Sequence, residues 1–223
     1  MISATRTGSC TLANDFGAVN LRKRFGLFIV TLTLSVAQVA SAQSPDAQQS
    51  QFGRGLRAYT AGDYKTALSV FRPLAEQGYF DAQWELGNMY AEGQGVPQDN
   101  IEAVKWFREC AEHGYASCQG SLGDAYMTGN GVPKDDVAAV SWTRKAAEQG
   151  DDVAFATLAE DYIYGWGVPQ NYVHAYMWFS LAADKKAIWG HSLVFVGLKM
   201  TPIQIANAKR LASQCEQQKF KGC

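Results

Sequence analysis

A chain of 223 residues that is 47% hydrophobic, with eleven Phe, ten Tyr and six Trp, has the apolar content for a packed core and is not a wholly disordered protein. Its net charge of −1 lacks the electrostatic footprint of a nucleic-acid binder. Residues 43–223 alone carry 16 basic and 20 acidic side chains, a mild acidity that favours solubility and names no partner.

The chain opens with an address. Arg22-Lys23-Arg24 precedes an apolar run from Phe25 to Val39, and Ala40-Ser41-Ala42 follows. A basic segment, a short apolar run and small residues at −3 and −1 predict a secretory signal peptide over 1–42, cleaved after Ala42. The run is shorter than the ~20 residues of a spanning helix, so no stable membrane span is expected after cleavage, with a retained anchor as the lesser alternative. Residues 1–18 are long and nearly uncharged for such a leader, which leaves an upstream start-site error open. Cys10 lies ahead of the apolar run and does not mark a lipoprotein anchor. The mature chain is expected in the periplasm or secreted, where disulfides are allowed.

Residues 43–50 are polar and without periodicity, and read as a flexible linker. A first unit over 51–78 follows, with Gly55, Ala58, Gly62-Asp63-Tyr64, Ala67, Phe71, Ala75 and Gly78. Next comes a pattern that returns every 36 residues: Leu86-Gly87, Tyr90, Gly93, Gly95-Val96-Pro97, Ala103, Trp106, Ala111. It recurs as Leu122-Gly123, Tyr126, Gly129, Gly131-Val132-Pro133, Ala139, Trp142, Ala147, and again as Leu158, Tyr162, Gly165, Gly167-Val168-Pro169, Ala175, Trp178, Ala183. A fixed period of this length marks a solenoid built from one repeated unit. The units run over 79–114, 115–150 and 151–184.

Each unit divides into two helices. Ala82, Leu86 and Tyr90 share one face of the first. The glycines and Pro97 turn the chain, and Asp99, Asp135 and Asn171 stand where N-caps of the second helix belong. Gly114 and Gly150 close it. The alanines let helices approach, and the tryptophans fill the space between hairpins. Residues 185–198 form a degenerate unit. Over 199–223 a capping helix is expected from Pro202, with Ile203, Ala206, Leu211 and Cys215 on its inner face.

The motif Leu-Gly-x-x-Tyr-x-x-Gly-x-Gly-Val-Pro, followed by Ala-x-x-Trp and Ala-Ala-Glu-x-Gly at 146–150, resembles the Sel-one-like (Sel1-like) repeat, a relative of the tetratricopeptide repeat with a longer connecting loop. Three well-formed units cover 79–184. The departures are Cys110 and Cys118 for alanines, Thr143 for an aromatic, and Ala159 where Gly87 and Gly123 stand. The resemblance implies an all-α, right-handed α/α superhelical solenoid and a protein- or peptide-binding adaptor without catalysis, expected as a monomer. An exported, cysteine-rich branch of the family has been linked to penicillin binding and β-lactam hydrolysis, which supplies the alternative: an enzyme acting on β-lactam or peptidoglycan-like substrates.

That branch also implies a pairing through its eight-residue cysteine step, which Cys110/Cys118 and Cys215/Cys223 both share. In the neighbouring junction the equivalent positions are the small Ala146 and Ala154, as expected where one helix end meets the next helix start. Two unpaired buried thiols remain the alternative for the first pair, and Cys223, being terminal, leaves the second open. Neither spacing suits zinc, and His113, His174 and His191 form no cluster, so no metal or cofactor is expected. No Ser-x-x-Lys occurs; the nearest stretch, Ser141 to Arg144, offers an arginine that does not deprotonate. Asp135-Asp136 and Asp151-Asp152 read as helix starts.

In stacked hairpins the first helices line the concave face. With Leu and Tyr committed to the core, the positions between them are free to meet a ligand. By this phase the partner-binding residues are Trp84, Asn88, Asp124, Thr128, Glu160 and Tyr164, set against the bland alternative of solvated helix positions. Trp84 is the expected anchor, because exposed aromatics serve as interface hot spots.

Overall fold

The computed structural model describes residues 44–223. The predicted leader and its cleavage site after Ala42 lie outside the described residues. The chain divides into two units, 1–47 and 48–223. Of the first, Ser44 to Ala47 are described: the Ser44 hydroxyl accepts the Ala47 N–H at 3.3 Å. With Pro45 in the first turn, this is a helix start, so α1 runs from Pro45–Thr60. The stretch read as a flexible linker is therefore helical from Pro45 onward. Its polar residues form a solvated helix face, which apolar periodicity does not reveal.

The second unit is all-helical among the described residues. After α1 come α2 (Tyr64–Glu76), α3 (Phe80–Glu92), α4 (Asn100–Glu112), α5 (Ala116–Thr128), α6 (Asp136–Ala147), α7 (Asp152–Tyr164) and α8 (Tyr172–Lys185). A 3-10 turn, Ala187–Trp189, leads into α9 (Gly190–Gly197), and α10 (Pro202–Gln217) ends the helical run. The pairs α3/α4, α5/α6 and α7/α8 are the hairpins of the 36-residue units, and each stacks on its neighbour through α4/α5 and α6/α7. This is a helical-hairpin solenoid.

The repeat is physical as well as textual. Asp99, Asp135 and Asn171 each accept two backbone N–H groups at the start of α4, α6 and α8. Arg72, Arg108 and Arg144 each donate to a tyrosine hydroxyl of the next unit, Tyr90, Tyr126 and Tyr162, at 2.8, 2.9 and 3.1 Å. Gln83 and Gln119 are buried and each donates to a carbonyl closing the preceding helix, Ala75 and Ala111. The second glycine of each turn also has a packing role. A Cβ on Gly131 or Gly167 would lie 2.1 Å from the carbonyl oxygen of Asn100 or Asp136, so each turn rests on the start of the preceding unit's second helix.

Leu86, Leu122 and Leu158 are fully buried. Trp178 is too, whereas Trp106 and Trp142 are half-buried, and Lys145 covers the Trp142 ring at 3.6 Å. At the third junction Phe155 replaces the buried glutamine. It stacks on Trp178 at 5.6 Å and meets Phe220 from beyond α10 at 5.0 Å. That aromatic cluster seats the cap on α8. The cap's inner face is Ala208, Ala212 and Cys215, with Leu211 partly buried. Ile203 and Ala206, expected inside, point to solvent, because the 4- and 3-residue steps from Ala208 define a different stripe.

Candidate binding groove

Three first helices, α3, α5 and α7, present side chains to one groove of about 510 Å³. Trp84 and Asn88 come from α3, Gly120, Ser121 and Asp124 from α5, and Val153 and Thr157 from α7. Phe107 and Thr143, from the second helices, form its floor. These two occupy the same repeat position, which Phe179 fills in the next unit. Where Phe107 stands, a Cβ on Gly87 would come within 2.4 Å of the ring; where Thr143 stands, a Cβ on Gly123 would meet the Thr143 hydroxyl at 2.6 Å and the Ala139 carbonyl oxygen at 3.2 Å, and no ring. Exchanging an aromatic for threonine removes a ring from this floor. The Thr143 hydroxyl is not free, since it donates to the Ala139 carbonyl at 3.0 Å.

The groove is acidic. Glu92, Asp124 and Asp151 line it, with no lysine, arginine or histidine. Asp151 already caps α7 through the Ala154 N–H. Burial raises the pKa of Asp124 although its side chain still meets solvent, because the groove walls displace part of its hydration.

Trp84, Asn88 and Asp124 thus come together, but Trp84 is not the exposed anchor expected. It is half-buried, packs between hairpins and donates its indole N–H to Ser121 Oγ at 3.0 Å, leaving only part of the ring to the groove. The other three expected residues lie elsewhere. Thr128 is exposed and donates to the Asp124 carbonyl at 2.8 Å, outside the groove lining. Glu160 and Tyr164 line a separate hollow of about 280 Å³ with Phe179, His191 and Phe195. Ala156, the counterpart of Trp84 in that unit, is buried. Sequence reasoning missed Glu92, Phe107, Thr143 and Asp151; the break in the Phe107–Thr143–Phe179 series was the available signal.

Cys110 of α4 and Cys118 of α5 are joined in a disulfide with Cα atoms 5.8 Å apart, and Cys215 and Cys223 in another at 5.6 Å. Among the described residues no group of three or more His, Cys, Asp or Glu side chains is placed to hold a metal ion. His174 is stacked on Tyr162 at 5.0 Å, and burial lowers its pKa.

The Sel1 repeat model matches residues 80–115, 116–151 and 158–186. Two curated proteins named "Exopolysaccharide production negative regulator" are similar over 54 residues: 44% identical in Rhizobium leguminosarum bv. viciae and 41% in Rhizobium meliloti (strain 1021). Each match covers 24% of this chain and 20% of the relative, so the chain spans about a fifth of those proteins. Among solved structures, a Sel1 repeat protein from Oxalobacter formigenes is 34% identical over 60% of this chain and 53% of that one, with a TM-score of 0.56. The c5321 protective antigen of uropathogenic Escherichia coli, which displays an SLR fold, is 29% identical over 82% and 49%, with a TM-score of 0.53.

Proposed function

We propose, from the premise that the repeats within residues 80–186 belong to the Sel1 repeat family, that the groove across α3, α5 and α7 holds a basic segment of a partner protein. Proteins of this family generally act as protein-interaction adaptors. The observation that carries the reading is the lining itself: three carboxylates, no basic side chain, and the Trp84 and Phe107 rings as apolar surface. A lysine or arginine brought beside Asp124 restores the electrostatic stabilisation that its partial desolvation removes. The role is that of an adaptor without catalysis. The Rhizobium relatives are named as negative regulators, and holding a partner serves regulation without chemistry.

The adaptor acts outside the cytosol. The predicted leader and the two disulfides support this, since such bonds persist in oxidising compartments. Intact mass of protein from its native host should begin at Gln43; a product retaining Phe25–Val39 in the membrane counts against export of a free chain.

The groove is tested by capturing peptides from envelope and secreted proteins on the full chain, then titrating a captured basic peptide. Asp124→Lys and Glu92→Lys should each weaken it about tenfold or more, with unchanged helicity. Wild-type affinity in both variants removes the groove from the reading. Turnover of a chromogenic β-lactam would instead favour the enzyme alternative.

A further inference from the structure

The last forty residues differ in charge from the rest. Residues 184–223 carry seven basic and two acidic side chains, whereas residues 44–183 carry nine basic and eighteen acidic. The same terminal segment has an unusually apolar surface. Between Ala187 and Ile203 the only charged side chain is Lys199, yet Ile188, Val194, Phe195, Leu198 and Ile203 are each between 53% and 81% exposed. Helix α9 is apolar on both sides: Val196 is buried in the core around α8, and Val194 and Phe195, with Leu198 at its C-cap, face solvent. The Lys199 ammonium lies 5.9 Å from the centre of the Phe195 ring. Val194, Phe195 and Leu198 are neighbours by helical spacing, and an apolar surface of this kind marks an interaction site rather than scattered exposure.

We propose that this cap docks on an anionic lipid bilayer. Val194, Phe195 and Leu198 enter the boundary between headgroups and acyl chains, and the basic side chains of the segment meet lipid phosphates. The attachment proposed is peripheral: among the described residues no helix is long and apolar enough to cross a membrane. Two features favour a bilayer over a protein partner. The outward side chains are protruding aliphatics and one phenyl ring, with Lys199 beside that ring; a fluid interface accepts these without a matching shape, while a protein partner needs one. The acidic remainder is also repelled by an anionic surface, so the charge division orients the molecule with its cap toward lipid.

The test uses the full chain with vesicles of phosphatidylglycerol and phosphatidylcholine, against phosphatidylcholine alone, read by sedimentation and hydrogen exchange. Anionic vesicles should slow exchange over 187–203, and binding should fall as salt rises. The triple variant V194S/F195S/L198S, altered only at exposed positions, should bind anionic vesicles at least about fivefold more weakly and lose that protection. Should its melting show damage to the fold, the K199E/K209E variant provides the same comparison through charge, with a loss of about fivefold or more expected. Protection that appears without lipid and grows with protein concentration identifies a second copy as the occupant and overturns the proposal. Vesicle binding with 187–203 unprotected, or equal binding to neutral vesicles, overturns it as well.

Discussion

Arg108 donates to the Tyr126 hydroxyl at 2.9 Å, with its guanidinium 5.7 Å from the centre of the same ring. One contact thereby ties the second helix of a unit to the first helix of the next, and it recurs at Arg72–Tyr90 and Arg144–Tyr162. Tyr126→Phe keeps the ring and removes the acceptor. It should cost about 1 kcal/mol in denaturant unfolding, and Arg108→Ala, which also removes the stacking, about 1–2 kcal/mol. Wild-type stability in Tyr126→Phe would show that the hydrogen bond merely replaces one to water.

The Cys110–Cys118 bond closes a short loop between α4 and α5, with a sequence separation of 8. Chain entropy assigns such a loop about 2.5 kcal/mol. Alanine at both positions, the arrangement that Ala146 and Ala154 show at the next junction, should lower the unfolding midpoint while leaving the circular dichroism of the native state intact. Non-reducing peptide mapping should find the two cysteines linked; labelling of both by a thiol reagent in the unreduced protein would contradict the bond.

Asp161 is fully buried, and neither carboxyl oxygen has a hydrogen-bond partner among the described residues. Its repeat counterparts are Met89 and Ala125, both core residues. Burial first, then the nearby charges of Glu160 and Asp136, push its pKa from 3.8 up to about 7. A carboxyl with a raised folded-state pKa binds its proton more tightly in the fold than in the unfolded chain. Its contribution therefore favours folding most at low pH and is lost as pH rises from about 4 to about 7, by roughly 4 kcal/mol in total. Asp161→Ala should remove that slope. Its melting temperature should exceed the wild type's at pH 8 by much more than at pH 5. Parallel pH profiles for the two proteins would assign the slope to other groups.

Thr143→Phe should close the groove from beneath. Gly123 leaves the same allowance that Gly87 gives Phe107, so the fold accepts the ring at this repeat position. Burying it should add about 1–2 kcal/mol of stability while weakening the groove's ligand at least about tenfold. Gain of stability with full binding would place the ligand above the floor, against Asp124 and Trp84 alone. The opposite change, Gly123→Ala, puts a Cβ 2.6 Å from Thr143 Oγ1 and should destabilise.

The hairpins, their caps and their stacking are legible in the order of residues alone. An N-cap such as Asp99 acts on residues two and three positions away, and a glycine turn on its immediate neighbours, so both are written locally and repeated with the period. The small Ala146 and Ala154 likewise marked the kind of junction where Cys110 and Cys118 meet. The groove is different, because it is made of side chains from helices tens of residues apart. Trp84 reads as an exposed anchor until the stacking sets it against Ser121, 37 residues on. Glu160 and Tyr164 keep the period but line a hollow with His191 and Phe195, which α9 contributes, and not the groove that holds Asp124. The cap's inner stripe and the partnerless burial of Asp161 were settled by the same means. Periodicity specifies which direction a side chain leaves its helix; what it meets there depends on volumes contributed by other helices, and only the tertiary structure adds those together.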